Sequence, residues 1–112
     1  MSKKAIDELQ QTLDISANEL LHMTCKDEVQ LWSDVFQDVR TKLIPKALKE
    51  VEGNEKVTDY LNRLSGIIKL FMVQLFGAAT EEIMPKISRK SADIVRFHAD
   101  KLRKLTTDEC TS

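Results

Sequence analysis

Two histidines and a cysteine are the side chains best suited to metal or thiol chemistry: His22, Cys25 and His98. His22 and Cys25 lie three positions apart, so a helix would place them on one face. A zinc site takes three or four ligands, so the metal hypothesis requires His98 to join them from a distant segment. His98 instead falls on the apolar seam of the last predicted helix, which favours a hydrogen-bonded histidine in the core. We therefore expect no metal and no cofactor.

Acid–base and phosphate chemistry are also poorly represented in the sequence. The carboxylate pairs Asp27-Glu28 and Glu81-Glu82 fall where helices are predicted to begin, and the helix dipole favours negative charge there. The chain has only three glycines and contains no glycine-rich phosphate loop, HExxH or GxSxG motif. The sequence therefore predicts no catalytic residues and a protein that is not an enzyme.

The length and composition favour one globular domain. The 112 residues have a net charge of −1, so total charge indicates no class of partner. The two cysteines are too few for a secreted disulfide scaffold, and no apolar run follows the first lysines. We expect a cytoplasmic or otherwise intracellular protein, with a domain over residues 1–106 and a frayed tail over 107–112.

The spacing of apolar residues predicts helices along the whole chain. A first helix is expected over about 3–23, and Thr24 with Asp27 resembles the capping box of a second. Gly53-Asn54 marks the clearest boundary, because glycine suits a helix end and asparagine caps the next helix. A third helix follows from near Glu55 and a fourth covers about 86–106. We therefore predict an all-α, antiparallel bundle of about four main helices.

Two prolines add an ambiguity to this arrangement. Pro45 and Pro85 each follow two apolar residues, precede a lysine and lie 40 positions apart. Proline disrupts a helix interior, so the second and third helices are expected to break or bend near these positions. The same spacing is also compatible with a duplicated helix–break–helix unit. Both interpretations remain open at this point.

The third helix has the most regular apolar pattern. Its seam alternates spacings of four and three residues, as in coiled coils: Val57, Leu61, Leu64, Ile68, Phe71, Leu75 and Ala78. The run over 66–79 is too short to span a bilayer, which takes about 20 apolar residues, and too apolar for an ordinary surface helix. The residues expected in the core or an interface are Trp32, Phe36, Leu61, Leu64, Ile68, Phe71, Met72, Leu75 and Phe76. The pattern leaves open whether the chain itself or a partner covers them.

The charge is distributed unevenly along the chain. Residues 1–40 carry four basic and eight acidic side chains, whereas 86–104 carry seven basic and two acidic. The basic face of the fourth helix comprises Lys86, Arg89, Lys90, Arg96, Lys101, Arg103 and Lys104. These residues could pair with the acidic N-terminal half, or bind an anionic membrane, a calmodulin-like groove or nucleic acid. Asp93 and Asp100 interrupt the basic face, which weakens the last three interpretations.

These observations favour a non-catalytic helical protein–protein interaction module. We expect an adaptor or small assembly subunit that binds a protein partner or self-associates through its apolar third helix. The alternative is a lipid- or anionic-membrane-binding protein that uses the basic C-terminal helix, with nucleic-acid binding ranked below it.

Overall fold

The computed structural model describes the backbone of residues 3–111 and the side chains of residues 3–107. Within this part the chain forms four helices and no strand, so the all-α bundle is confirmed. In chain order the helices are α1 (Lys4–Leu20), α2 (Lys26–Asp38, Val39–Leu43 and Ile44–Glu50), α3 (Glu55–Phe71 and Met72–Phe76) and α4 (Met84–Thr111). The described part measures 47 × 22 × 18 Å.

The longest helix contact joins α1 to α4 in antiparallel orientation. Gln10 of α1 donates a hydrogen bond to the carbonyl of Ala99, whereas Leu20, at the far end of α1, accepts one from the Ser88 hydroxyl. Small buried side chains line this contact and let the two helices approach closely: Ser16, Ala17, Ser88, Ser91, Ala92 and Ala99. The first and last helices therefore close the bundle.

Aromatic rings form the centre of the contact between α2 and α3. Phe36 is fully buried and meets Phe71 edge to face, with ring centroids 5.1 Å apart. Phe71 and Phe76 pack in the same manner at 5.3 Å. Edge-to-face aromatic pairs add about 0.5–1.5 kcal/mol beyond the area they bury. These three rings therefore join the middle of α2 to the C-terminal end of α3.

The break expected near Pro45 is absent. Instead α2 widens into a π-helical turn, Val39–Leu43, which ends two residues before the proline, and the Ile44 N–H bonds the Val39 carbonyl five residues back. Pro45 has no N–H to donate to the Thr41 carbonyl, and its ring crowds that group. The wider turn accommodates the ring without ending the helix.

A second π-helical turn, Met72–Phe76, corrects the predicted apolar seam. The seam is buried as far as Phe71, but Leu75 is only half-buried and Ala78 is exposed. A π turn contains one extra residue, so the next buried positions come one residue later, at Phe76 and Ala79. The seam prediction was therefore wrong for Ala78, which a strict heptad places inward, whereas Leu75 still packs against the edge of the core.

The chain does break near Pro85, but between α3 and α4. Helix α3 ends at Phe76, residues 77–83 are not helical, and Pro85 is the second residue of α4, where its missing N–H costs no helical bond. Some positions 40 residues apart share their burial, as in the pairs Phe36–Phe76 and Ile44–Met84, but Leu31 is exposed whereas Phe71 is buried. The two proline segments nevertheless differ in backbone structure, since one continues a helix and the other starts one.

Several helix ends differ from their predicted positions. Helix α1 ends at Leu20 instead of residue 23. The N-terminal cap of α2 lies one residue later than the predicted Thr24–Asp27 box. Cys25 precedes the helix, and Glu28 accepts the backbone N–H groups of Thr24 and Cys25. The boundary at Gly53-Asn54 is confirmed, because Gly53 has a φ of 95° and the Asn54 side chain accepts the Val57 N–H at 3.2 Å.

The last helix is longer than predicted. Its helical backbone begins at Met84 and continues to Thr111. The sequence instead predicts a helix over 86–106 followed by a frayed tail. The side chains of 108–112, which belong to that predicted tail, lie outside the described part. None of the helices within residues 3–111 has both the length and the apolar character needed to cross a membrane.

Candidate interaction surfaces

The chain itself covers most of the residues predicted to lie in a core or an interface. Buried within the bundle are Phe36, Leu61, Leu64, Ile68, Phe71 and Phe76. Half-buried against the same core are Trp32, Met72 and Leu75. The face of α3 that looks most like an interface in sequence is therefore the intramolecular core. What remains accessible lies on the other side of the same helix.

Two large apolar side chains of α3 stay exposed. Val73 is 66% exposed, and Leu70, one helical turn earlier, is 59% exposed. Both belong to the apolar run of residues 66–79, but neither is part of the regular apolar seam of α3. The all-round apolar character of the run is the sequence signal that could have identified them.

Val73 also lines a groove between the N-terminal half of α2 and the π turn of α3. This α2–α3 groove has a volume of about 420 Å³, is open to solvent and is lined by Lys26, Val29, Gln30, Ser33, Met72, Val73, Phe76 and Gly77. The α3 side is apolar, whereas Lys26, Gln30 and Ser33 supply polar groups on the α2 side. An apolar centre with polar groups beside it is the usual composition of a protein interface.

The backbone at this groove departs from regular α-helix. Gly77 follows the π turn, and its N–H bonds the Met72 carbonyl at 3.1 Å. A Cβ atom at Gly77 would collide with the carbonyl oxygen of Val73. The glycine therefore lets the chain leave α3 closely beside the groove. Single π turns inside α-helices occur often at functional sites.

The predicted basic face of α4 is divided between two surroundings. Arg96 and Arg103 turn toward α1, where both bond the Asp14 carboxylate, at 3.1 and 2.6 Å. Arg96 also donates to the Asn18 side chain at 2.7 Å. Burial acts to raise the pKa of Asp14, but the hydrogen bonds and charges around it outweigh that effect and hold the pKa below its usual value. The predicted pairing of the basic helix with the acidic N-terminal half is thus present at Asp14.

The remaining cations of α4 are exposed to solvent, although Lys101 also reaches the Tyr60 ring of α3. The side chains of Lys86, Arg89, Lys90, Lys101 and Lys104 are exposed, and Phe97 lies among them with 61% exposure. The Lys101 ammonium lies 5.9 Å from the centroid of the Phe97 ring and 5.4 Å from that of Tyr60. Such distances allow cation–π attraction. We call this group of six residues, 86, 89, 90, 97, 101 and 104, the outward face of α4.

His98 is held by a hydrogen bond to α3, as the sequence suggests. The Tyr60 hydroxyl lies 2.7 Å from its Nδ1 atom. Burial lowers the pKa of His98, and the positive charge of Lys101 acts in the same direction. Burial also raises the pKa of Tyr60, so its phenol stays protonated at neutral pH.

The residues considered for metal or thiol chemistry lie in different settings. Cys25 and His22 are exposed beside the turn between α1 and α2, whereas His98 contacts Tyr60 on α3. Among the side chains that the structure describes, no group of three or more His, Cys, Asp or Glu residues could hold a metal ion.

Comparison with known proteins gives no family. No protein-family model, curated protein or solved structure matches this chain. Any functional conclusion therefore depends on the surfaces described above.

Proposed function

We propose that this chain is a non-catalytic protein–protein interaction module, an adaptor or small assembly subunit, which self-associates through the α2–α3 groove. The observation that carries the proposal is the position of Val73, which is exposed and lines an apolar concavity at once. Burying a side chain such as Val or Leu contributes about 1.5–3 kcal/mol. A surface that offers both Val73 and Leu70 therefore gains substantially from a protein partner.

A second copy of this chain fits the groove because the surface has complementary parts side by side. In a two-fold dimer the same patch meets itself, so each projecting group must face a recess of the other copy. Here Val73 is exposed and also lines the recess together with Met72 and Phe76. Two copies related by a two-fold axis would each insert Val73 and receive the partner's. The polar groups of Lys26 and Gln30 would then lie at the rim of the interface.

The test is the solution mass of the protein as a function of concentration, measured by sedimentation velocity. We expect a concentration-dependent dimer that the double variant Leu70→Ser, Val73→Ser weakens by more than tenfold, because two apolar side chains leave the interface. Circular dichroism should show an unchanged fold, since both positions are exposed. The matched control is Leu31→Ser, which is 59% exposed on α2 and does not line the groove.

Two results would contradict this proposal. A monomer at all concentrations would exclude self-association. Equal weakening of the dimer by Leu31→Ser would place the interface elsewhere on the bundle.

A further inference from the structure

The outward face of α4 forms a long cationic stripe with one aromatic ring inside it. Positions 86, 90, 97, 101 and 104 recur at spacings that keep them on one side of a helix. At about 1.5 Å per residue the stripe is about 27 Å long. Phe97 is 61% exposed, with Lys101 one turn after it on this side of the helix, and Asp93 and then Lys90 one and two turns before it. An exposed ring beside cations can add apolar and cation–π contacts to a charge-driven interaction.

The structure separates these cations from the arginines that stabilise the fold. Arg96 and Arg103 are bound to Asp14, and Arg103 also bonds Asp100 at 3.0 Å. The ion pairs found among the side chains of residues 3–107 involve none of Lys86, Arg89, Lys90, Lys101 or Lys104. Asp93 lies on the same side of α4 as the stripe and lowers its positive charge, since the ion pairs of residues 3–107 do not include it. Five cations against this one carboxylate still leave the outward face net positive.

We propose that the outward face of α4 binds an anionic phospholipid surface, with its lysines at the headgroup phosphates and Phe97 among the headgroups. Its cations are mostly lysines, which act as flexible point charges and suit diffuse attraction to a charged surface. Reading nucleic-acid bases takes bidentate arginines or several stacking aromatics, whereas this face offers one arginine and one ring. The apolar face of α4 packs inside the bundle, so the attraction to lipid is mainly electrostatic, and Phe97 adds one apolar contact. This surface is separate from the α2–α3 groove.

The test uses the full chain and vesicles of phosphatidylserine and phosphatidylcholine in equal parts, with co-sedimentation at low and at physiological ionic strength. We expect binding that requires phosphatidylserine and weakens as salt increases. The triple variant Lys86→Gln, Lys90→Gln, Lys104→Gln should bind about a hundredfold more weakly, at about fivefold for each charge removed. Phe97→Ser should weaken binding by about tenfold at both salt concentrations, since its contribution is apolar.

The matched control removes three exposed lysines from other helices: Lys46→Gln, Lys49→Gln, Lys56→Gln. It changes net charge by the same amount and should keep most of the binding. The variant Leu70→Ser, Val73→Ser should also keep it, so failure of the groove proposal and failure of this one are distinguishable.

Four outcomes would overturn the inference. They are the absence of vesicle binding at low salt, equal binding to pure phosphatidylcholine, equal loss in the two triple variants, and tighter binding to a duplex oligonucleotide than to the anionic vesicles at the same salt. The last of these would reassign the outward face to nucleic acid.

Discussion

The carboxylate of Glu50 accepts the backbone N–H of Ile6 at 2.9 Å, so the end of α2 caps the start of α1. Its second oxygen accepts the N–H of Ala5, also at 2.9 Å. The first N–H groups of a helix have no partner within it, and the residue before α1, Lys3, provides no side-chain cap. At the other end of α1, the Ser88 hydroxyl donates to the Leu20 carbonyl. Both ends of α1 are therefore fixed by side chains from other helices.

Replacing Glu50 by alanine should show how much the stability of α1 depends on this cap. Loss of a helix cap costs about 0.5–2 kcal/mol, and a charged acceptor at a helix N-terminus belongs in the upper part of that range. We expect Glu50→Ala to lower the free energy of unfolding by about 1–2 kcal/mol in urea titrations, with faster hydrogen exchange at Ala5 and Ile6. Glu52→Ala removes an exposed carboxylate two positions later and should have little effect. Equal losses in both variants would show that net charge matters instead of the cap.

Asp14 should give the fold a stability that depends on acid pH. Its pKa is lowered in the folded chain, so the ionised form is bound more tightly there than in the unfolded chain. This stabilisation is present above the unfolded value of 3.8 and is lost as the pH falls through the lower folded value. Asp14→Asn should therefore cost about 1 kcal/mol at neutral pH, and its difference from the native chain should shrink below about pH 4.

The control for Asp14 is Asp38→Asn. Asp38 pairs with Lys42 at 3.5 Å on one exposed helix face, where a pair contributes less than about 0.5 kcal/mol. Urea titrations at several pH values measure both variants. A pH-independent effect of Asp14→Asn would mean that the carboxylate charge does not stabilise the contact with α4.

Local sequence patterns predict the helices well because those patterns act within a few residues. Asn54 caps α3 through the Val57 N–H, and both positions lie in one short stretch of sequence. Glu50 and Ser88 cap α1 from 44 and 68 residues away, respectively, and no local pattern encodes such a pairing. These caps could be found only after the packing of the four helices was known.

The candidate surfaces show the same limit. A heptad pattern assumes a constant helical repeat, so it cannot anticipate the π turn that moves burial from Leu75 to Phe76. The predicted basic face includes Arg96 and Arg103 because their spacing places them on α4. The spacing does not predict which neighbouring residue they contact. Their partner Asp14 lies 82 and 89 positions away, respectively. The sequence therefore predicts that such surfaces exist, and tertiary contacts decide which residues remain available.

His98 should make the fold sensitive to pH near neutrality. Its pKa is lowered by burial and by Lys101, so the folded chain binds a proton less readily than the unfolded chain. Stability is therefore fully present above the unfolded value of 6.5 and decreases as the pH falls from 6.5 toward the folded value. We expect an NMR titration of the His98 imidazole to give a pKa below 6.5.

The contribution of Lys101 can be separated from that of burial. Lys101→Met removes a nearby positive charge and should raise the pKa of His98, while burial, the larger cause, keeps it below 6.5. Lys104→Met makes the same chemical change one turn further along α4 and should leave the His98 titration unchanged. An equal shift in both variants would assign the effect to the overall field of the helix.

Two glycines of the same region should respond to alanine in opposite directions. Gly66 lies inside α3 with open space where its Cβ would be, so Gly66→Ala should stabilise the fold by about 0.5–1 kcal/mol through helix propensity. A Cβ at Gly77 would strike the Val73 carbonyl, a backbone group that cannot turn aside, so Gly77→Ala should cost about 1–3 kcal/mol. Thermal and urea unfolding measure both variants. Stabilisation by Gly77→Ala would mean that the chain can relax beside the π turn, and the close exit from α3 would then not require glycine.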